Sequence, residues 1–287
     1  MKTSSPHTLA LALGIALAAG PAFADSSASA TLGNVHISLT DLDLSDGITP
    51  ALAINFGSQP YLNGAIGSYG TEFLRDGYAH LGANASSIVT DSVQAAFATS
   101  SATMVGADTL AGITSMVVSG TAGSSSVGFG EFGALAANYT SASFTLSAHT
   151  SITITVDAAM FAQTTFGYDP VTGAAESASG HVMMVFDGYD ADGNSLYDDA
   201  YQELAVDAAL DANGNVTGAQ QSWSGTLSVT FSNASSQDVL GTFYSELGVG
   251  GSSIPAPVPE PASYALLMAG LGAIAWVARR RAGASRA

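Results

Sequence analysis

Residues 142–156 read Ala-Ser-Phe-Thr-Leu-Ser-Ala-His-Thr-Ser-Ile-Thr-Ile-Thr-Val. Phe144, Leu146, Ala148, Ile152, Ile154 and Val156 alternate with Ser143, Thr145, Ser147, Ser151, Thr153 and Thr155. A period of two places one set of side chains in a core and the other in water. The run is longer than a typical strand, so a break is expected near His149-Thr150, giving two strands or one bent at a sandwich edge. Further strands are expected at 35–44, 51–56, 113–118, 181–186, 204–210, 223–231 and 242–249. Asp46-Gly47, Asp192-Gly193 and Asn213-Gly214 supply turns, because these residue types tolerate the positive φ of hairpin turns. Only residues 92–98 hint at a helix. Much Gly, Ser, Thr and Ala with little Lys or Glu weakens helices further. The fold class expected is all-β, a single β-sandwich or jelly-roll-like ectodomain.

The two ends of the chain read differently. Lys2, an apolar run over 9–19, Pro21 and Ala22-Phe23-Ala24 form a secretory signal peptide, residues 1–24, cleaved after Ala24. The ectodomain is expected over 25–249. Residues 250–261 are a Gly/Ser/Pro-rich linker of a composition that stays extended. Residues 262–278 are uncharged and apolar, with Tyr264 and Trp276 near the two ends, where aromatic side chains meet membrane interfaces. At 1.5 Å per residue this helix is slightly short for a hydrocarbon core of about 30 Å, which local thinning accommodates. Residues 279–287 are a basic tail whose Arg279, Arg280 and Arg281 stay in the cytoplasm by the positive-inside rule. The body of the protein therefore lies outside the inner membrane.

Charge narrows the partners. Residues 25–261 hold all twenty-three acidic residues and a single base, Arg75, a net of −22 with histidine neutral. Such a domain cannot neutralise nucleic-acid phosphates, and anionic head groups repel it, so nucleic acid is excluded as a partner. Its self-repulsion is relieved by divalent cations or a basic partner. There is no cysteine, so neither disulfides nor a Cys-based zinc site support the fold.

Val258, Pro259, Glu260 and Pro261, followed by the apolar helix and Arg279, Arg280 and Arg281, resemble the PEP-CTERM sorting tail of Gram-negative bacteria. The resemblance implies processing near the motif by an integral-membrane transpeptidase, exosortase, and delivery to the cell surface or exopolysaccharide matrix. It implies a transient inner-membrane anchor and no particular chemistry. A weaker resemblance to β-rich ectodomains of this group extends to Asp41-Leu42-Asp43 with Asp46-Gly47-Ile48, to the alternation over 144–156, and to Phe231-Ser232-Asn233-Ala234-Ser235.

Candidate chemistry is sparse. Asp187, Asp190, Asp192, Asn194, Asp198 and Asp199 fall in one short glycine-containing stretch, a donor set suited to Ca²⁺. The glycine comes two positions early for an EF-hand, and the twelfth position is Tyr201 rather than Glu. Asp211-Ala212-Asn213-Gly214-Asn215 repeats the spacing. The alternative is two hairpin turns with solvated Asp and Asn. No Gly-x-Ser-x-Gly occurs, Ser126 having Ser124 where the first Gly belongs, and His36, His80, His149 and His181 show no metal spacing. Tyr61, Tyr69, Tyr78, Tyr139, Tyr168, Tyr189, Tyr197, Tyr201 and Trp223 either cap strands or stack on sugars. The function expected is a non-enzymatic structural or adhesion module of the surface or exopolysaccharide matrix. A calcium-assisted carbohydrate-binding module is the second reading, and a glycan hydrolase with paired carboxylates the third.

Overall fold

The computed structural model describes residues 25–56, 61–62, 66–69, 73–76, 79–80, 88–106, 111–125, 128–138, 142–190, 192–254 and 270–271. The leader and the sorting tail lie outside these residues, apart from helical Gly270 and Leu271. No helix among the described residues is long and apolar enough to cross a membrane. Phe23–Ala256 form a compact unit of their own.

Its strands begin with β1 (Asp25–Asp41) and β2 (Leu52–Phe56), then the short β3 (Tyr61–Leu62), β4 (Ile66–Tyr69), β5 (Phe73–Asp76) and β6 (Ala79–His80). Next come β7 (Ile88–Gln94), β8 (Ala98–Gly106), β9 (Ile113–Ser125), β10 (Gly128–Phe129), β11 (Glu131–Asn138) and β12 (Ala142–Leu146). The chain continues through β13 (Thr150–Gln163), β14 (Ser177–Tyr189), β15 (Ser195–Asp207), β16 (Ala209–Leu210), β17 (Val216–Thr217), β18 (Gln220–Asn233) and β19 (Val239–Ser252). One sheet has the order β18-β13-β1-β9-β8-β7, with β10 beside β9. The other has the order β15-β14-β19-β12-β2, with β11 also on β19. Pairing is antiparallel. Two sheets facing each other across one core make a β-sandwich.

The inner faces follow from alternation. Val182, Met184 and Phe186 of β14 and Phe243 and Leu247 of β19 are buried, as are Leu32, Met116, Ile152, Ile154, Val229 and Phe231 of the opposite sheet. Phe144 meets Phe186 and Phe231 edge to face, at centroid distances of 5.7 and 5.2 Å, and Phe186 lies 5.1 Å from Phe243. Such pairs add about 0.5–1.5 kcal/mol each beyond burial. Glycine makes room for the rings: a Cβ on Gly241 would stand 2.5 Å from Phe144.

The 142–156 run is broken as expected, and its halves belong to different sheets, β12 to one and β13 to the other. The corner turns through His149 at φ 48°. Its amide donates to Ser235 O at 3.1 Å, and its carbonyl accepts from Leu42 N at 2.7 Å. Buried Asn233 closes the corner, its Nδ2 donating to the carbonyls of Leu146, Ser147 and Gln237 at 3.3, 2.9 and 2.8 Å. Its Oδ1 accepts from the Ser235 amide and hydroxyl. Residues 41–48, 144–156 and 231–235 thus meet at one sandwich corner.

Two expectations change. Residues 92–98 are not helical: Ser92 to Gln94 end β7, Ala98 opens β8, and Ala95 N donates to Ala98 O at 2.8 Å to close the turn. Cross-strand pairing, with burial alternating along β8, overrides a weak local preference. The linker also starts later than residue 250. Gly250 and Gly251 pair with β11 and β14, and Ser253 is buried with its amide on Gly130 O at 2.9 Å. A Cβ on Gly251 would lie 2.6 Å from the Phe132 ring, so glycine serves close packing here rather than flexibility.

Truncating the central ring tests this core. Phe144→Ala should cost about 3–5 kcal/mol, read by calorimetry as a melting temperature roughly 6–20 °C lower in a domain of this size.

Candidate functional site

The acidic stretch forms the β14–β15 hairpin. Asp190 Oδ1 accepts from the amides of Asp192 and Asn194 at 3.0 and 2.7 Å, and its Oδ2 accepts from Asn194 Nδ2 at 2.8 Å. Asp211 repeats the arrangement with Asn213 and Asn215. Gly193 and Gly214 take φ of 83° and 78° at the matching positions, a conformation open to glycine. The asparagine side-chain bonds, then the amides, hold both carboxyls below their ordinary range. What these turns contribute is therefore present above the unfolded carboxyl pKa and is lost as pH falls through the lowered folded values.

Register separates the remaining residues. Asp187 pairs with Tyr197 on the outer face, whereas Asp198 pairs with core-facing Phe186. Asp198 Oδ2 accepts from Thr230 N at 2.6 Å, satisfying an amide on β18, a strand that ends its sheet. Asp187, Asp190, Asp192, Asn194 and Asp198 are thus not gathered around one point. Among the described residues, the group whose possible ligand atoms all lie within 4.8 Å of one another is Asp43, Asp46 and His149, at the sandwich corner. Asp43 Oδ1 there accepts from the Ser45 amide and hydroxyl, and Asp46 Oδ1 from Ile48 N. Two carboxylates and an imidazole form the ligand set best placed to hold a cation.

The second arrangement is the outer face of β14, β15 and β19. Tyr189, Tyr197 and Tyr201 are 61, 60 and 49 % exposed. Register brings Tyr197 beside Asp187, Asp199 and Tyr244 across Val185, and Tyr201 and Glu246 across Met183. Val185 is buried although it faces outward, so its neighbours roof it over. The Tyr201 hydroxyl donates to Glu203 Oε2 at 2.7 Å, which pushes its pKa up to about 12. Partial desolvation, then the neighbouring acidic groups, push Tyr197 up as well. His181 Nε2 lies 2.8 Å from Glu246 Oε1, and its ring stacks on Tyr201 at 6.3 Å. Ring faces with carboxylates between them offer stacking surfaces and hydrogen-bond acceptors together. Tyr189, Tyr197 and Tyr201 were among the aromatics singled out in the sequence; Tyr244 and Glu246 were not, although they are the polar alternates of Phe243 and Leu247.

An exported all-β body followed by a proline-containing segment, an apolar stretch and arginines defines a protein sorted by its C-terminus. The family model for the PEP-CTERM protein-sorting motif matches residues 257–281, so the chain carries that motif. The motif implies export, membrane-anchored surface display and processing by exosortase. No curated protein and no solved structure matches the chain.

Melting in chelator, Ca²⁺ and Mg²⁺ at equal ionic strength tests where a cation acts. Because Asp190 is engaged by its own turn, Asp190→Asn with Asp192→Asn should leave any calcium-specific rise intact. Loss of the rise in that double variant would return the ion to the hairpin.

Proposed function

We propose that the ectodomain is a non-enzymatic adhesion module of the cell surface or exopolysaccharide matrix, and that it holds glycan on the tyrosine and carboxylate face of β14, β15 and β19. The observation that carries this reading is the alignment of Tyr189, Tyr197 and Tyr201 on one sheet face beside Asp187, Asp199 and Glu203. Pyranose rings present C–H faces that pack on aromatic rings, and their hydroxyls donate to carboxylates. An open sheet face suits an extended polymer better than a small molecule, which favours a concave pocket. The net charge of −22 over residues 25–261 points to neutral or cation-bridged glycan rather than to a bare polyanion.

Retention on immobilised exopolysaccharide of the producing bacterium is the direct measurement. Tyr197→Ala with Tyr201→Ala should weaken retention at least tenfold, about 1.4 kcal/mol, with the melting temperature little changed. Retention equal to wild type would remove this face from the reading.

Delivery has its own test. Replacing Pro259, Glu260 and Pro261 by alanine should leave the chain in the membrane fraction at the size set by leader removal alone. Release at the wild-type rate would show that exosortase does not act through this motif.

A further inference from the structure

Glu176, one residue before β14, is completely buried. Its Oε2 accepts from the amides of Thr165 and Gly167 at 2.6 and 3.2 Å and from the Thr165 hydroxyl at 3.3 Å. Its Oε1 is buried with no hydrogen-bond partner among the described residues. Burial, opposed by these bonds and reinforced by the Asp25 carboxylate, raises its pKa. A carboxylate in this position is costly unless a positive donor stands nearby, and Arg75 is the single Lys or Arg in residues 25–261.

The backbone nitrogen of Asp25 donates to Thr165 Oγ1 at 2.8 Å, the same hydroxyl that donates to Glu176. Asp25 is also the residue that follows the expected leader cleavage. Hydrolysis of the Ala24–Asp25 peptide adds water across the C–N bond, leaving a carboxylate on Ala24 and an amine on Asp25 that takes up a solvent proton. Before cleavage this nitrogen is a neutral amide whose one hydrogen already goes to Thr165. Afterwards it is a cation with three hydrogens, two of them free for the neighbouring carboxylates of Glu176 and Asp25.

We propose that the Glu176 pocket is a binding site for the chain's own processed N-terminus: the Asp25 α-ammonium, held by the Thr165 hydroxyl, supplies the charge that Glu176 lacks. The sandwich then reaches full stability only after leader removal. This rests on cleavage at Ala24–Asp25 and is independent of the glycan reading.

The sequence allows a clean test. Lys2 is the single lysine and leaves with the leader, so an amine-selective acetylating reagent has one amine target in the processed chain. Exported chain purified from the cell envelope should begin at Asp25 by N-terminal sequencing. Its acetylation should lower the melting temperature by several degrees in wild type and produce little further loss in Glu176→Gln. In wild type the α-amine, followed by NMR, should keep its proton at least one unit above the ordinary 7.7–8.0, with Glu176 and the Asp25 carboxylate as the charged groups bearing on it. Should Glu176→Gln fail to fold, that titration decides alone. A different N-terminus, equal losses on acetylation with and without Glu176, or an ordinary α-amine titration would overturn the proposal.

Discussion

Phe144, Phe186, Phe231 and Phe243 come from β12, β14, β18 and β19, and their contact between the two sheets ties both layers to one centre. Because the side-chain period of a strand is two, each inward ring also dictates what faces out. Burying Phe186 sends Asp187 and its partner Tyr197 to the surface, and burying Phe243 does the same for Tyr244. The tyrosine and carboxylate face is therefore the reverse side of the phenylalanine cluster. A one-residue slip of β14 would empty the core and dismantle that face together.

The second constraint is an acidic body nearly without cations. Backbone amides take the place of basic side chains: Asp41, Asp43, Asp46, Asp169, Asp190 and Asp211 each accept from amides a few residues ahead. Among the described residues, His181 Nε2 stands 2.8 Å from Glu246 Oε1, a histidine–carboxylate hydrogen bond. Amide donors are fixed in place by the turn and do not titrate, so local satisfaction of these carboxylates persists at salt concentrations that screen long-range repulsion. Glu176 also uses amides, yet one of its oxygens remains unmatched, as does Asp46 Oδ2; what sets Glu176 apart is that the whole residue is buried.

Much of this fold was legible because Ser and Thr alternate with large apolar residues in β12 and β13, and each of the expected strands overlaps an observed one. Two of the stretches that were missed have mostly small side chains. β8 and the first half of β1 bury alanine and serine, whose alternation carries little hydrophobic contrast. The site was harder to read. The aspartates of 187–198 are close in sequence, but a hairpin sends neighbours to opposite faces. Asp43, Asp46 and His149 are far apart in sequence and meet because the β12–β13 corner folds back on the segment after β1. The roles of Glu176 and Asn233 depend on carbonyls, amides and hydroxyls contributed by distant segments, which leave no pattern along the chain.

The last packed strand, β19, is bonded on both sides, to β14 along one edge and to β11 and β12 along the other. The sorting motif begins shortly after it, at residue 257. A chain tethered through that end passes tension straight into β19 along the strand axis, at right angles to its interstrand hydrogen bonds. The ladders must then slide as blocks, many bonds yielding together, whereas a strand peeled from a free edge gives way one bond at a time. Resistance to pulling is set by the barrier to unfolding rather than by equilibrium stability. By placing its final strand at the middle of a sheet, the domain is built to hold against drag from flowing liquid at the end by which it would be attached.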